Sequence, residues 1–279
     1  MPSDFTGVTE NPGDLITSEA LQMMITRYSL ALEHSQDKDV LELGCGPGVG
    51  LGYLARQAHR VIGGDYDAAM MRTAQRTYGG RVGVVHMDAQ VLPFANHTFD
   101  VTIMYEAIYY LPDPGKFFEE CRRVLRNPGT LIVCSVNKSW SDFNPSPFST
   151  AYYSAPELFA LFTEHGFQTK LFGAFPTTTD SSSRKLVSLI KRTAVSLHLI
   201  PGSMKNKQWL KRIFYGKLAS LPAELGQDTI EDTQEDQSGP ETLVPISAET
   251  STDQFKVIYA VGHTISNRHQ KGQERWSGT

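Results

Sequence analysis

The chain has 279 residues, of which 40% are hydrophobic and 20% are charged, so it can bury a sizeable core. Its 26 Lys and Arg against 30 Asp and Glu give a formal net charge of −4, which argues against a protein that coats nucleic acid. No apolar run reaches the length of about eighteen residues that a membrane-spanning helix needs. The 3 cysteines lack CxxC spacing and the first residues lack a signal-peptide pattern, so we expect a cytoplasmic protein without a disulfide scaffold.

The first predicted element is a helix over about residues 18–32, with Thr17 and Ser18 as candidate N-caps. Short apolar runs then alternate with amphipathic segments. The predicted strands are 39–43, 60–64, 82–87, 99–105, 129–136, 167–175 and 255–261, and the predicted helices between them are 49–57, 67–78, 114–125 and 155–165. This alternation, with its short connections, predicts a parallel sheet that is covered by helices on both faces.

A long segment, 176–254, separates the last two predicted strands. Two basic helices are predicted over about 182–199 and 205–219, and an acidic stretch, 224–241, is predicted to be a mobile loop. Four interpretations of the helices stay open: a lid that excludes water from a bound substrate, attraction of an anionic substrate, peripheral contact with an anionic membrane through 182–219, or a solvated pair packed on the sheet.

The most informative stretch is VLELGCGPG, residues 40–48, which follows a predicted strand and precedes a predicted helix. Glycines at such a turn let the backbone approach a ligand, and the start of the next helix adds unpaired N–H groups. A dinucleotide site needs G-x-G-x-x-G, but Val49 and Leu51 stand where its third glycine would fall. The spacing therefore disfavours an NAD-dependent reductase.

The same stretch resembles the E/D-x-G-x-G-x-G turn of class I S-adenosylmethionine (SAM)-dependent methyltransferases. Further segments resemble this family in the same order: Asp65, Asp88-Ala89, LPFANHTFD at 92–100, EAIYYLPD at 106–113, RVLRNPGT at 123–130, and the helix and strand start at 155–167. They are most similar to the small-molecule type that methylates ubiquinone and menaquinone precursors. The resemblance implies an α/β, Rossmann-like, doubly wound sheet of seven strands with strand seven antiparallel, and SAM as the cofactor.

The resemblance also divides the chain into four parts. They are an N-terminal helical cap (1–36), a SAM-binding core (37–175 and 255–265), a helical insertion or lid with the acidic loop (176–254), and a flexible tail (266–279).

The family pattern implies that Asp65 accepts hydrogen bonds from the ribose hydroxyls and that Asp88 and Ala89 hold the adenine. Tyr28, on the first helix, is a candidate to reach the SAM carboxylate, and the alternative is ordinary packing of that helix. The full predicted cofactor set is Glu42, Gly44, Gly46, Gly48, Asp65, Tyr66, Asp88, Ala89, Tyr105 and Tyr28.

Glu106, at the carboxyl end of the fourth predicted strand, is the candidate general base, and Tyr109 is the second catalytic candidate. The alternative for Glu106 is that it holds the SAM ammonium or the loop backbone. The predicted substrate pocket consists of Tyr110, Tyr152, Tyr153 and Trp209. Since no histidine pair has metal-ligand spacing, no metal is expected.

The predicted activity is methyl transfer to a small-molecule acceptor, most simply O-methylation of a natural-product, sugar or lipid-like substrate that is anionic or carrier-bound. N- or C-methylation and a non-catalytic SAM-binding regulatory protein remain alternatives. The stretch NPSPF, 144–148, resembles a signature of nucleobase amino methylation but follows the wrong strand, so no nucleic-acid partner is expected. The sequence predicts no oligomeric state.

Overall fold

The computed structural model describes residues 9–146, 148–177, 218–226, 240–249 and 252–265. Strands are β1 Leu15–Thr17, β2 Asp39–Leu43, β3 Arg60–Asp65, β4 Gly83–His86, β5 Phe99–Tyr105, β6 Leu125–Val136, β7 Phe167–Pro176, β8 Leu218–Ser220, β9 Val244–Ile246 and β10 Phe255–Thr264. Helices are α1 Ser18–Glu33, α2 Leu51–Leu54, α3 Ala68–Tyr78, α4 Pro114–Val124 and α5 Ala155–Glu164, with a 3₁₀ turn at Ile108–Tyr110.

Eight of the described strands form one sheet in the order β4-β3-β2-β5-β6-β10-β7-β9. The pairs β3–β4, β2–β3, β2–β5 and β5–β6 are parallel, whereas β10 is antiparallel to both β6 and β7. The predicted Rossmann-like sheet with one inserted antiparallel strand is therefore confirmed. The predicted count of seven strands is too low, because β9 pairs with the outer edge of β7.

Both faces of the sheet are buried, because side chains on each strand alternate between two apolar layers. On β5, Val101, Ile103 and Tyr105 pack on the side of α1 and α3, while Met104 packs on the side of α4 and α5. Phe99 also packs on the side of α4 and α5, because the strand register shifts between Phe99 and Val101. This double burial explains why the central strands appear in the sequence as continuous apolar runs.

Helix α1 is held across the sheet by specific polar contacts. Its N-cap Thr17 accepts a hydrogen bond from the backbone N–H of Ala20, as the sequence predicts. The Tyr105 hydroxyl donates to the backbone carbonyl of Arg27 over 2.8 Å. These contacts fix the side of α1 that carries Arg27 and Tyr28 above the carboxyl ends of β2 and β5.

Two predicted elements differ from the structure. The predicted helix 49–57 shortens to α2, because its first turn follows a glycine-rich segment with a low tendency to form a helix. Leu218 and Ala219, predicted to end a helix, lie instead in β8, which pairs with β1 in a second, two-stranded sheet.

The predicted helix 182–199, most of the predicted helix 205–219, most of the acidic loop and the tail lie outside the described residues. β1 adds a short strand to the predicted N-terminal helical cap. Among the helices that the structure describes, none has the length and hydrophobicity required to span a bilayer.

Candidate active site

A cleft of about 350 Å³ lies at the carboxyl ends of β2, β3, β4 and β5, beneath α1. Ligands of doubly wound α/β proteins bind at this edge, where the strand order reverses. Its lining includes these predicted site residues: Tyr28, Glu42, Gly44, Gly46, Asp65, Tyr66, Asp88, Ala89, Tyr105, Glu106, Tyr109 and Tyr110. Segments predicted separately along the sequence thus meet around one cavity.

The glycine turn after β2 requires positive φ angles, which residues with a side chain rarely adopt. Gly44 has φ +70° and Gly46 has φ +56°. A Cβ added to Gly44 would lie 2.7 Å from the Ala107 side chain. The turn is anchored because Gly44 N–H donates to the Gly64 carbonyl and Gly46 N–H donates to Asp65 Oδ2, both over 2.8 Å.

Gly48 is not among the residues that line the cleft, and its role as a cofactor residue stays a prediction. It has φ +82°, and a Cβ there would lie 2.9 Å from Leu51 and 3.2 Å from Ala74 and Tyr78. The Tyr78 hydroxyl also donates to the Gly48 carbonyl over 2.6 Å. Gly48 is needed for α3 to pack closely on the turn.

Two acidic side chains stand where β3 and β4 end. Asp65 is half-buried, and its Oδ1 accepts from the Asp67 N–H over 2.8 Å. Burial raises the pKa of Asp65 from its ordinary value, although backbone hydrogen bonds from Asp67 and Gly46 oppose the rise. Asp88 Oδ1 accepts from the backbone N–H of Gln90 over 2.8 Å. Both carboxylates are therefore oriented before any ligand arrives.

Glu42 is a buried carboxylate on the floor of the cleft, with 2% of its surface exposed. The Tyr28 hydroxyl donates to Glu42 Oε1 over 2.6 Å, while Oε2 has no hydrogen-bond partner among the described residues. Burial raises the pKa of Glu42 to about 7, against the opposing effects of Tyr28 and Arg27. The Tyr28 hydroxyl proton is engaged with Glu42 here, and the predicted contact of Tyr28 with the SAM carboxylate stays a prediction.

Glu106 stands at the end of β5 with φ +51°, an unusual backbone conformation for a side-chain-bearing residue. Its Oε2 accepts from the Val136 N–H over 3.2 Å and from the Tyr109 hydroxyl over 3.1 Å. Its Oε1 faces the thiol of Cys134 at 3.7 Å. The carboxylate is thus fixed at the cleft with Oε1 as its less engaged oxygen.

A tyrosine cluster closes the same end. The Tyr109 ring stacks on Tyr152 with ring centroids 4.4 Å apart and meets Tyr110 edge-on at 4.6 Å. Tyr109 and Tyr110 line the cleft, but Tyr152 and Tyr153 do not. Tyr152 instead packs against Tyr109, and the roles of Tyr152 and Tyr153 in a substrate pocket stay predictions. The predicted pocket residue Trp209 lies outside the described residues.

The combination of fold and cleft agrees with comparisons to known proteins. Residues 41–133 match the family model of a methyltransferase domain. The chain carries a class I SAM-dependent methyltransferase domain. The cofactor of this family is SAM.

Relatives extend the similarity beyond the family model. The chain is 37% identical over 147 residues to a Mycolicibacterium smegmatis protein named "Probable S-adenosylmethionine-dependent methyltransferase", over 50% of this chain and 56% of that one. It is 35% identical to a fatty-acid O-methyltransferase of the same organism, over 39% of this chain and 43% of that one. The chain spans about half the length of the curated relatives it matches.

A solved structure from Thermotoga maritima, titled a SAM-dependent methyltransferase and possible histamine N-methyltransferase, has a TM-score of 0.53 at 18% identity. It covers 88% of this chain and 92% of its own. At this identity the similarity establishes the fold of the methyltransferase domain and nothing about its substrate.

Two charged residues that line the cleft, Glu10 and Arg27, are absent from the set predicted from the sequence. Arg27, on α1 beside Tyr28, lines the cavity and is half-buried. Burial favours a lower pKa for Arg27, but the charge of Glu106, with smaller contributions from Cys134 and Tyr259, outweighs it and raises the pKa. The only signal in the sequence was an arginine on the same helix face as Met24 and Tyr28.

The methyltransferase domain shows no metal centre in the part of the chain that the structure describes. No group of three or more His, Cys, Asp or Glu side chains is arranged there to hold an ion. The polar groups at the cleft instead suit a ligand with hydroxyl, amino and charged groups, which they bind through hydrogen bonds.

Proposed function

We propose that this protein transfers a methyl group from SAM to an oxygen atom of a small natural-product, sugar or lipid-like acceptor. The observation that carries the proposal is the convergence of the glycine turn, Asp65, Asp88 and Glu106 on one cleft. SAM supplies an electrophilic methyl group on a sulfonium when it is bound.

The residues present fit this cofactor. Glu42 Oε2 is buried without a hydrogen-bond partner among the described residues, which suits a cationic donor such as the SAM ammonium. Asp65 has a fixed carboxylate for the ribose hydroxyls, and Asp88 has one for the adenine amino group. The absence of side chains at Gly44 and Gly46 keeps the backbone accessible to the amino-acid part.

The chain contributes orientation and a dry pocket to the reaction. Methyl transfer requires the acceptor atom in line with the methyl group, and fixed geometry supplies much of the acceleration. Tyr109, Tyr110 and helix α1 wall the acceptor end of the cleft and exclude water. For a hydroxyl acceptor, Glu106 Oε1 is the oxygen available to take the proton, because Oε2 already accepts two hydrogen bonds.

Apolar lining supports a lipid-like acceptor. Met24, Met104 and Leu111 face the same cavity as Tyr110. Apolar walls with a few polar groups are typical of small-molecule sites. The similarity to a fatty-acid O-methyltransferase points in the same direction, although the match spans less than half of either chain.

Calorimetric titration with S-adenosylhomocysteine, with NADH as the control ligand, tests the cofactor. We expect micromolar affinity for the first ligand and none for the second. Transfer of a labelled methyl group from SAM to a panel of hydroxylated and carboxylated lipids then tests the acceptor class. Binding of NADH alone, or of neither ligand, would contradict the proposed function.

A further inference from the structure

A second cavity, of about 510 Å³, lies on the face of the sheet that α1 covers and shares no lining residue with the cleft. Its walls come from α1, β7, β10 and residues 240–243. One of its lining residues, His263, pairs with Gln168 near the start of β7. The cavity therefore reaches the amino ends of the strands, whereas the cleft lies at the carboxyl ends.

Basic side chains from four separate segments meet at that end of the cavity. They are His34 at the C-cap of α1, Lys38 before β2, Lys170 on β7 and His263 on β10. The two histidine rings lie 6.1 Å apart between centroids. Lys170 and both histidines line the cavity, and Lys38 acts on both histidines electrostatically. We call these four residues the basic cluster.

The basic cluster has no acidic partner within the ranges that the structure describes. None of its members forms an ion pair there, and its one side-chain hydrogen bond joins His263 Nδ1 and Thr130 Oγ1 at 3.2 Å. Burial lowers the pKa of both histidines, and neighbouring positive charges lower each further. The cluster therefore repels itself, and a bound anion would relieve that repulsion.

Two carboxylates also line the cavity, but neither neutralises the basic cluster. Glu241 is tied further back on α1, because its Oε2 accepts from Gln22 Nε2 over 3.4 Å and its N–H donates to Thr26 Oγ1 over 2.8 Å. Thr26 lies about 12 Å before His34 along the helix axis. Glu33 is exposed, and neither acid is among the groups that shift the pKa of the histidines.

The lining indicates which anion fits. Lysine meets a phosphate as a point charge, whereas the planar fork of arginine, which matches a carboxylate, is absent from the described lining. The several oxygens of a phosphate can accept from the lysine and imidazole donors together. Beside the basic cluster the wall is apolar and consists of Leu30, Phe172, Leu243 and Val261.

We propose that this cavity is a second binding site, separate from the cleft, for a molecule with a phosphate head and an apolar body. The head lies at the basic cluster and the apolar body lies along Phe172 and Leu243. The proposal concerns a different cavity from the proposed function and does not depend on it.

Calorimetric titration of the full chain with octyl phosphate tests the site, with inorganic phosphate, octanol and octanoate as comparison ligands. We expect octyl phosphate to bind most tightly, because only it has both parts. Lys170→Gln removes one charge-assisted hydrogen bond and should weaken its binding on the order of tenfold or more. Lys116→Gln is the matched control, because this exposed lysine of α4 lies outside both cavities and pairs with Asp113.

Nuclear magnetic resonance of the ring C–H groups gives a second measurement that does not depend on comparing variants. Histidine is the side chain that ordinarily changes charge between about pH 5 and pH 8. A phosphate at the basic cluster favours the charged imidazoles, so we expect the pKa of His34 and of His263 to rise when octyl phosphate is bound. Unshifted titration curves at saturating octyl phosphate would place the ligand elsewhere and overturn the proposal.

Two calorimetric outcomes would also overturn it. One is that octyl phosphate does not bind the wild type, or binds the wild type and Lys170→Gln equally. The other is that octanoate binds more tightly than octyl phosphate, which would exclude the phosphate head. Titration of the same preparations with S-adenosylhomocysteine tests the proposed function separately, and failure there would leave this inference standing.

Discussion

Glu42 shows how burial changes the chemistry of one side chain. Its pKa rises from 4.5 to about 7, mainly because the carboxylate is buried, and the Tyr28 hydrogen bond offsets the rise only in part. Because the folded state holds the proton more tightly than the unfolded chain, ionisation of Glu42 disfavours folding. Its contribution to stability is therefore present below pH 4.5 and is lost as the pH rises towards 7.

We predict that Glu42→Gln removes part of the stability loss that the wild type shows as the pH rises. The free energy of unfolding of the ligand-free wild type should fall relative to the variant between about pH 5 and pH 8, by up to about 3 kcal/mol. Urea denaturation of the wild type and the variant at about pH 5 and at about pH 8 measures this difference in the free energy of unfolding. Parallel pH dependence of the two proteins would show that Glu42 does not titrate in this range.

Glu106 is the second residue whose role is decided by its environment. Its carboxylate is fixed by Val136 and Tyr109, and we predict that Glu106→Gln lowers turnover of a hydroxyl acceptor by about a hundredfold or more while sparing S-adenosylhomocysteine affinity. Steady-state rates measure the turnover, and calorimetry on the same preparation measures the affinity for S-adenosylhomocysteine. A loss of cofactor affinity with turnover preserved at saturating SAM would make Glu106 a cofactor ligand instead. Tyr109→Phe is the control, because it removes one donor to Oε2 and keeps the ring stack.

Among the elements, the glycine turn combines backbone strain with close packing. Gly44 needs a positive φ and has no space for a methyl group beside Ala107, whereas Gly79, at the end of α3, has φ +53° and open space around it. The two positions therefore separate the cost of conformation from the cost of a clash.

We predict that Gly79→Ala costs only about 1–2 kcal/mol of stability and leaves S-adenosylhomocysteine affinity unchanged. Gly44→Ala should cost more and weaken that affinity, because the turn must shift away from Ala107 at the cleft. Adding Ala107→Gly should restore part of the lost stability. Equal effects of the two single variants on stability and affinity would contradict the role assigned to packing at Gly44.

The sequence predicts elements well where local pattern and burial agree. The central strands β2 and β5 are largely apolar runs. The turn after β2 is marked by glycines with positive φ, and the turn after β3 by the N-cap Asp67. Position relative to a cavity is harder to predict, because it depends on packing between distant segments. Gly48 and Tyr152 are absent from the cleft lining for this reason, whereas Arg27 belongs to it although nothing in the family pattern marks it.

For the molecule as a whole, residues 218–226, the described stretch in the middle of the long segment after β7, lie beside the cofactor turn. Leu221 and Leu225 are both buried, at 2% exposure. Leu221 pairs through its backbone with Gly13 and Asp14 beside β1, whereas Leu225 N–H donates to the carbonyl of Val49 on the cleft over 2.8 Å. Glu224 adds an ion pair with Arg81. Residues 218–226 thus support the turn that lines the cleft.

We therefore predict that two similar Leu→Ala substitutions lower stability to a similar degree but differ in their effect on ligand binding. Leu221→Ala and Leu225→Ala should each lower the free energy of unfolding by about 2–5 kcal/mol, because both create a cavity in the same apolar layer. Only Leu225→Ala should weaken S-adenosylhomocysteine binding several-fold, because its cavity opens next to the backbone hydrogen bond to Val49 and lets the turn at the cleft shift. Denaturant unfolding and calorimetry on both variants measure the two effects. If both variants weaken binding equally, the segment acts on the cleft only through overall stability.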